Sequence, residues 1–194
     1  MNTTQNKKGY IFIVSGPSGV GKTVLCNHMI EKFKPQVVYS ISTTSRAPRG
    51  GEKDGQEYNF CSAAEFEEAI KNNAFAEWAC VHGNYYGTPR KFLMDNVNAG
   101  KHVVLNIDVQ GGMKIHQEYP EAIMIFILPP SFEELEHRIR GRNMDSEESL
   151  KKRMINARKE IDYSKQYKYC LINDDLEKAK SDLEKIFLTY INNG

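Results

Sequence analysis

The sequence predicts an α/β fold: a parallel sheet flanked by helices, with a small mixed α+β insertion and a helical lid. Three observations support it. Short apolar runs rich in β-formers recur along the chain. Stretches with apolar residues at helical spacing separate them, the alternation that builds parallel sheets with right-handed crossovers. Residues 43–98 break this rhythm with turn residues and aromatic β-formers, so they read as an insertion.

In chain order, residues 10–14 (YIFIV) are the first buried strand. A Gly-rich turn leads into a helix over residues 22–33, where Val24, Leu25, Met29, Ile30 and Phe33 fall at helical spacing. Residues 37–41 (VVYSI) are the second strand. Inside the insertion, Ser62-Ala-Ala-Glu65 is a capping box that starts a helix. Residues 102–107 (HVVLNI) and 122–128 (AIMIFIL) are two further buried strands. Ser131-Phe-Glu-Glu134 caps the helix that follows, and Asp145-Ser-Glu-Glu148 resembles a cap. Residues 169–172 (YCLI) are the last strand. A closing helix over residues 175–191 has apolar positions that include Leu176, Ala179, Leu183, Ile186, Phe187 and Tyr190.

Composition narrows the function classes. The chain has 194 residues, 26% charged and 40% hydrophobic, which excludes a disordered, collagen-like or membrane chain. A chain of this size can bury roughly 70% of its unfolded surface, so it needs no disulfide or metal staple. The formal net charge of +1 argues for neither a nucleic-acid partner nor an acidic tail, a local basic cluster aside, and no nucleic-acid partner is expected. The polar first nine residues hold no apolar core and do not read as a signal peptide. The longest apolar run, 122–128, is far short of a membrane span. Cys26, Cys61, Cys80 and Cys170 lie far apart and read as free thiols in a reducing cytosol, so a cytoplasmic protein is expected. The histidines show no metal-ligand spacing, so no protein-held zinc site is expected. Oligomeric state stays open.

The chemistry begins at Gly16-Pro17-Ser18-Gly19-Val20-Gly21-Lys22-Thr23, which fits Gly-x4-Gly-Lys-[Ser/Thr] between a predicted strand and a predicted helix. Its glycines let backbone N–H groups converge on phosphate oxygens, and the helix N-terminus adds partial positive charge. Lys22 can reach the β- and γ-phosphates of ATP, and Thr23 can ligate Mg²⁺, mostly through nucleotide and water. This predicts a P-loop NTPase core. The strand beginning at His102 runs on to Asp108, at the sheet end where ligands sit. That acid either supports the magnesium shell or caps the next helix.

Several chemistries use such a loop. Asp108-Val-Gln-Gly111 matches a short GTPase switch pattern, but no Asn-Lys-x-Asp for guanine accompanies it. A nucleotide kinase needs a second anion site and a mobile Arg-bearing lid, because its catalysis is mostly positioning plus electrostatics. Arg46-Ala-Pro-Arg49 puts two guanidinium groups on a Pro-fixed turn, with Tyr58, Tyr85 and Tyr86 as further donors. The lid candidate is residues 136–161. Arg138 and Arg142 share a helix face there and repel unless an anion sits between them. Gly141 suits a hinge, and Arg153 follows. The bland alternatives are a solvated basic loop, and an exposed basic helix balanced by Glu133, Glu134 and Glu136.

Together these residues resemble the guanylate kinase family, from Tyr10 to about Ile191. The most specific stretch is Thr44-Ser-Arg46-Ala-Pro-Arg49-Gly-Gly-Glu52-Lys-Asp-Gly55-Gln-Glu-Tyr58-Asn-Phe60. Gly83-Asn-Tyr-Tyr86-Gly-Thr88, Ile107-Asp108-Val-Gln110-Gly111 and Asn173-Asp174-Asp175-Leu176 also look like family blocks. The resemblance implies phosphoryl transfer from Mg·ATP to GMP, giving ADP and GDP, with dGMP an open alternative acceptor. It implies that Arg46, Arg49, Tyr58 and Tyr86 hold the GMP phosphate, and that Ser42, Glu77 and Thr88 read the guanine. It places Asp108 between the two nucleotides and Asn173 near the adenine. It has Arg138, Arg142 and Arg153 close over the ATP phosphates, with Lys22. On that basis residues 1–42, 99–135 and 162–194 form the P-loop core, 43–98 the GMP-binding subdomain and 136–161 the lid.

The guanine reading is chemically coherent. Guanine offers adjacent N1–H and N2–H₂ donors, which one carboxylate can accept together, whereas adenine presents a bare acceptor there. Two departures from the family pattern stand out. Cys61 replaces the usual aliphatic or Lys residue, and Asn106 stands where an acid is usual, removing a negative charge near the phosphates. Two other readings remain: a catalytically inactive guanylate-kinase-like binding module, and a kinase for another acceptor such as a phosphorylated sugar.

Overall fold

In the computed structural model, which describes residues 8–81, 83–141 and 147–192, the chain starts with a strand buried along its whole length, β1 (Ile11–Ser15). A strand with both faces buried needs helices on both sides. The chain continues through α1 (Lys22–Lys32) and β2 (Val37–Tyr39). The insertion follows, with β3 (Thr43–Thr44), β4 (Asn59–Phe60), α2 (Ala63–Lys71), β5 (Phe75–Val81) and β6 (Asn84–Pro89). Then come α3 (Arg90–Asn98), β7 (His102–Asn106), α4 (Val109–Glu118) and β8 (Ile123–Leu128). After α5 (Phe132–Arg140) and α6 (Glu147–Asp162), a 3-10 turn (Tyr163–Gln166) leads to β9 (Tyr169–Ile172) and α7 (Leu176–Ile191).

The main sheet has the order β2-β7-β1-β8-β9, parallel at every pairing. Strand alternation sorts its side chains into two layers. Phe12 and Val14 point to the side of α1 and α7, among Leu25, Met29, Leu183 and Phe187. Ile11 and Ile13 point the other way, among Leu93, Val97, Ile115 and Phe126. The insertion carries its own mixed sheet, β4-β3-β6-β5, in which β5 and β6 form an antiparallel pair with a register shift between Phe75 and Glu77. Helices α5 and α6 share a third small cluster of Leu135, Ile139, Leu150 and Ala157.

Local signals explain the helix starts. Ser62 and Glu65 form the reciprocal capping box at α2. The Ser131 hydroxyl accepts from the Glu134 N–H at 3.1 Å, and Asp175 accepts from the Lys178 N–H at 2.7 Å. The predicted cap at Asp145 lies outside the described residues.

Three details differ from the sequence reading. The strand expected over 102–107 ends at Asn106, and Asp108 stands beyond it in the turn. There its carboxylate accepts from the Gly111 N–H at 2.8 Å, satisfying an orphan donor of α4. Helix α3, inside the stretch read as the insertion, packs Leu93 and Val97 into the core layer beside β7. Helix α5 follows the balanced alternative rather than the unopposed clamp face. Arg138 pairs with Glu134 and Arg140 with Glu136, both at i, i+4.

The ring of Phe187 stacks on Phe12 at 3.9 Å, and both are fully buried between α7 and the sheet. Phe187→Ala is expected to cost about 3–5 kcal/mol of unfolding free energy. Urea unfolding checks this, and an unchanged midpoint would contradict it.

Candidate functional site

The carboxyl ends of β1 and β7 open into a cavity of about 710 Å³ that reaches from the P-loop to the inner strands of the insertion. Its donor half is built by the turn between β1 and α1. That turn runs so close to its neighbours that side chains are excluded. A Cβ on Gly16 would lie 2.3 Å from the Ile127 carbonyl oxygen, and one on Gly21 would lie 2.4 Å from Asn173 Nδ2. Both glycines also have positive φ, 145° and 98°.

Asn173 acts as the buttress of this loop. It is 5% exposed, and its side chain donates to the Val20 carbonyl at 2.8 Å. Its backbone N–H donates to Leu128 at 2.9 Å, and its carbonyl accepts from Arg138 Nη1 at 2.9 Å. Arg138 is thereby held at the rear of the loop, on Asn173 and Glu134. Lys22 folds back, donating to the carbonyls of Gly16 at 2.5 Å and Pro17 at 3.1 Å. Arg153 reaches over from α6 and donates to the Ser18 hydroxyl at 2.8 Å. The Asn106 amide donates to Thr23 Oγ1 at 3.2 Å, so the two oxygen-bearing side chains beneath the phosphate region are tied together.

The acceptor half centres on Glu77, only 8% exposed. β5 and β6 pair Glu77 with Thr88, and the Thr88 hydroxyl donates to Glu77 Oε1 at 2.7 Å. Burial raises the Glu77 pKa above the ordinary glutamate value; Asp108 adds to the rise, while Thr88 and Lys114 oppose it. Ser42, Tyr58 and Tyr86 line the same cavity, with Tyr58 and Tyr86 edge to face at 5.9 Å.

Arg46 lies behind them. Its guanidinium sits over the Tyr58 and Phe60 rings at 5.4 and 5.9 Å and makes a bidentate pair with Glu52 at 2.9 and 3.0 Å. Glu52 also accepts from the Arg49 N–H at 2.7 Å. These contacts hold the Glu52 carboxyl below its usual range. The Arg49 side chain is exposed.

Thus Gly16, Ser18, Lys22 and Thr23 face one cavity with Ser42, Tyr58, Glu77, Tyr86 and Asp108. Arg46 and Thr88 stand one layer back, held on Glu52 and Glu77, while Arg138 and Asn173 brace the loop from behind. Arg142 lies outside the described residues. Sequence reasoning missed Glu160, which lines the donor half from α6. Burial raises its pKa, with Lys22 opposing and Asp108 reinforcing the rise. The available signal was its place seven residues after Arg153, on the same helix face. Glu52 was read as part of a block without a role, although it is the partner that fixes Arg46.

A family profile described as guanylate kinase matches residues 8–190. A guanylate kinase of Caldanaerobacter subterraneus subsp. tengcongensis is 46% identical over 182 residues, covering 94% of this chain and 88% of that one. One from Fusobacterium nucleatum is 45% identical, covering 96% and 97% respectively. The crystal structure of guanylate kinase from Anaplasma phagocytophilum superposes with a TM-score of 0.75 at 34% identity, covering 94% of this chain and 86% of that one.

The buttress can be tested directly. Asn173→Ala leaves the buried Val20 carbonyl without its donor, and a loss of about 1–3 kcal/mol is expected. The same variant should bind ATP more weakly in calorimetry. Unaltered stability and unaltered ATP affinity together would remove Asn173 from this role.

Proposed function

The chain belongs to the guanylate kinase family, and on that premise we propose that it transfers the γ-phosphoryl group of ATP to GMP, giving ADP and GDP. The observation that best supports this reading is a single cavity lined both by a P-loop with its lysine and by a buried carboxylate matched to guanine. In-line transfer asks little covalent chemistry of the protein. It asks for two phosphates held end to end, with positive groups around the moving one.

ATP phosphates enter the P-loop, and Lys22 exchanges the carbonyls of Gly16 and Pro17 for phosphate oxygens. Arg153, already beside Ser18, and Arg138 and Arg142 close over the same charge. Asn173 supports the loop near the adenine. On the other side Arg46, Arg49, Tyr58 and Tyr86 take the GMP phosphate. Ser42 and Glu77 read the base, with Thr88 holding Glu77 in place. Asp108 lies between the nucleotides, within electrostatic reach of Glu77 and Glu160. The core would be residues 1–42, 99–135 and 162–194 together with α3, with 43–89 and 136–161 moving inward to exclude water.

Magnesium fits the donor set. Thr23 and Asp108 offer hard oxygen ligands to the cavity, and among the described residues no group of three or more His, Cys, Asp or Glu could hold a metal alone. Nucleotide and water would supply the remaining ligands. Bound there, it would neutralise phosphate charge. No helix among the described residues is long and apolar enough to cross a membrane. We place the enzyme in the cytoplasm because its substrates are nucleotides of the cell interior.

ADP formation should appear with GMP, and to whatever extent the site tolerates it with dGMP, but not with AMP, CMP or UMP at equal concentration. No turnover with any acceptor would favour the inactive binding module. Lys22→Ala should lower kcat by about 100-fold or more while the Kd for GMP stays nearly constant; equal losses would count against the assigned role. The raised Glu77 pKa fixes a sign. Protonated Glu77 cannot accept both guanine donors, so KM for GMP should rise as pH falls through a point above the ordinary glutamate range. Glu77→Gln should erase that limb and leave the one from the GMP phosphate, which titrates at about pH 6.

A further inference from the structure

Helix α4 meets the insertion along one stripe. Positions 111, 114 and 118 fall on a single helix face. Lys114 Nζ donates to the Trp78 carbonyl at 2.6 Å, and its charge lies 5.8 Å from the Trp78 ring. Glu118 pairs with Arg90, whose Nη2 also donates to the Phe75 carbonyl at 2.9 Å. The third contact is an approach rather than a bond. A Cβ on Gly111 would lie 2.9 Å from Glu77 Oε2 and 3.1 Å from its Cδ.

Gly111 has no positive φ that would require glycine, and in a helix glycine is less stable than alanine. Its use is therefore space. Glu77 cannot simply move aside, because its other oxygen is held by Thr88, itself 1% exposed. Gly111 also gives its N–H to Asp108 Oδ1, so one residue touches both carboxylates of the acceptor region.

We infer that Gly111 is a positioning residue that sets base specificity: its missing side chain lets the first turn of α4 seat the Glu77 carboxylate against the acceptor base. The inference rests on the reading of Glu77 as the guanine acceptor. Chemically, it says that discrimination between guanine and a base lacking the 2-amino group is set from the core helix as well as from β5.

The test is Gly111→Ala, assayed with GMP and with inosine monophosphate, which lacks the 2-amino group. KM for GMP should rise about tenfold, equivalent to about 1.4 kcal/mol. KM for inosine monophosphate should rise by a smaller factor, because only its N1–H contact to Glu77 is at stake, and kcat should be nearly retained. Tm should hold or rise, and ATP affinity should be unchanged. The double variant Gly111→Ala/Glu77→Gln should be no worse than Glu77→Gln alone, because both act through one contact. An unchanged GMP KM, parallel losses for both acceptors, lost ATP affinity, a lowered Tm or additive losses would each overturn the inference. If Glu77→Gln leaves the GMP KM unaltered, the Glu77 reading fails and takes this one with it. If Glu77→Gln raises it and Gly111→Ala does not, the Gly111 inference fails alone.

Discussion

Holding a nearly buried carboxylate ready for a base is the constraint on which the site depends. An ionised group removed from water is costly unless polar partners replace its hydration. Glu77 has the Thr88 hydroxyl, an attraction from Lys114 and an opposing charge in Asp108, and its pKa is raised on balance. Its solvation is therefore incomplete. In the proposed reading, two N–H donors from a guanine would supply what is missing, turning the unfavourable burial into a preference for that base. The same need explains the junction between insertion and core. β5 carries Glu77, β6 carries Thr88, and α4 fixes the distance to Asp108 through Gly111 and Lys114.

The positive groups follow a complementary logic. Without an anion, several cations in and around one cavity would repel each other, and here they rest on internal acceptors. Lys22 lies on loop carbonyls, Arg46 on Glu52, and Arg138 on Glu134 and Asn173. Phosphate binding on this view is an exchange of acceptors rather than the capture of bare charge. The net gain per contact is then modest, and selectivity comes from geometry. Glu52 is instructive, because its two oxygens draw in Arg46 and the backbone of Arg49 together and so shape the anion turn before any ligand arrives.

Much of this was legible in the residues. The P-loop announced itself by glycine spacing between an apolar strand and an amphipathic helix. The caps at Ser62, Ser131 and Asp175 marked helix starts because a side-chain oxygen must satisfy an orphan N–H wherever it occurs. What escaped were features that depend on distance in space. Glu160 sits in a helix dense with charge, where its seven-residue spacing from Arg153 is the local cue that sets a cavity-facing carboxylate apart from the solvated ones. Arg138 rests on its i−4 glutamate, the balanced-helix alternative that the residues also offered, and in the proposed reaction would exchange it for phosphate. Helix α3 was absorbed into the insertion because β-formers precede it, while Leu93 and Val97 already had the spacing to face the core.

Asn106 draws these threads together. It ends β7 directly beneath Thr23, and its amide donates to the Thr23 hydroxyl while also hydrogen-bonding Tyr39, whose hydroxyl burial pushes up to about 12. A carboxylate at this position could only accept. The cavity is already lined by the carboxylates of Glu52, Glu57, Glu77, Asp108 and Glu160, and burial, reinforced by Asp108, raises the pKa of Glu77 and Glu160. A further negative charge would push Glu77 and Glu160 further toward protonation and oppose the ionised Glu77 that the proposed guanine contact requires. The neutral amide keeps Thr23 oriented toward the phosphate region without adding to that repulsion. The carboxylate that Lys22 attracts here is Glu160 on α6, while the end of β7 contributes a neutral donor to Thr23.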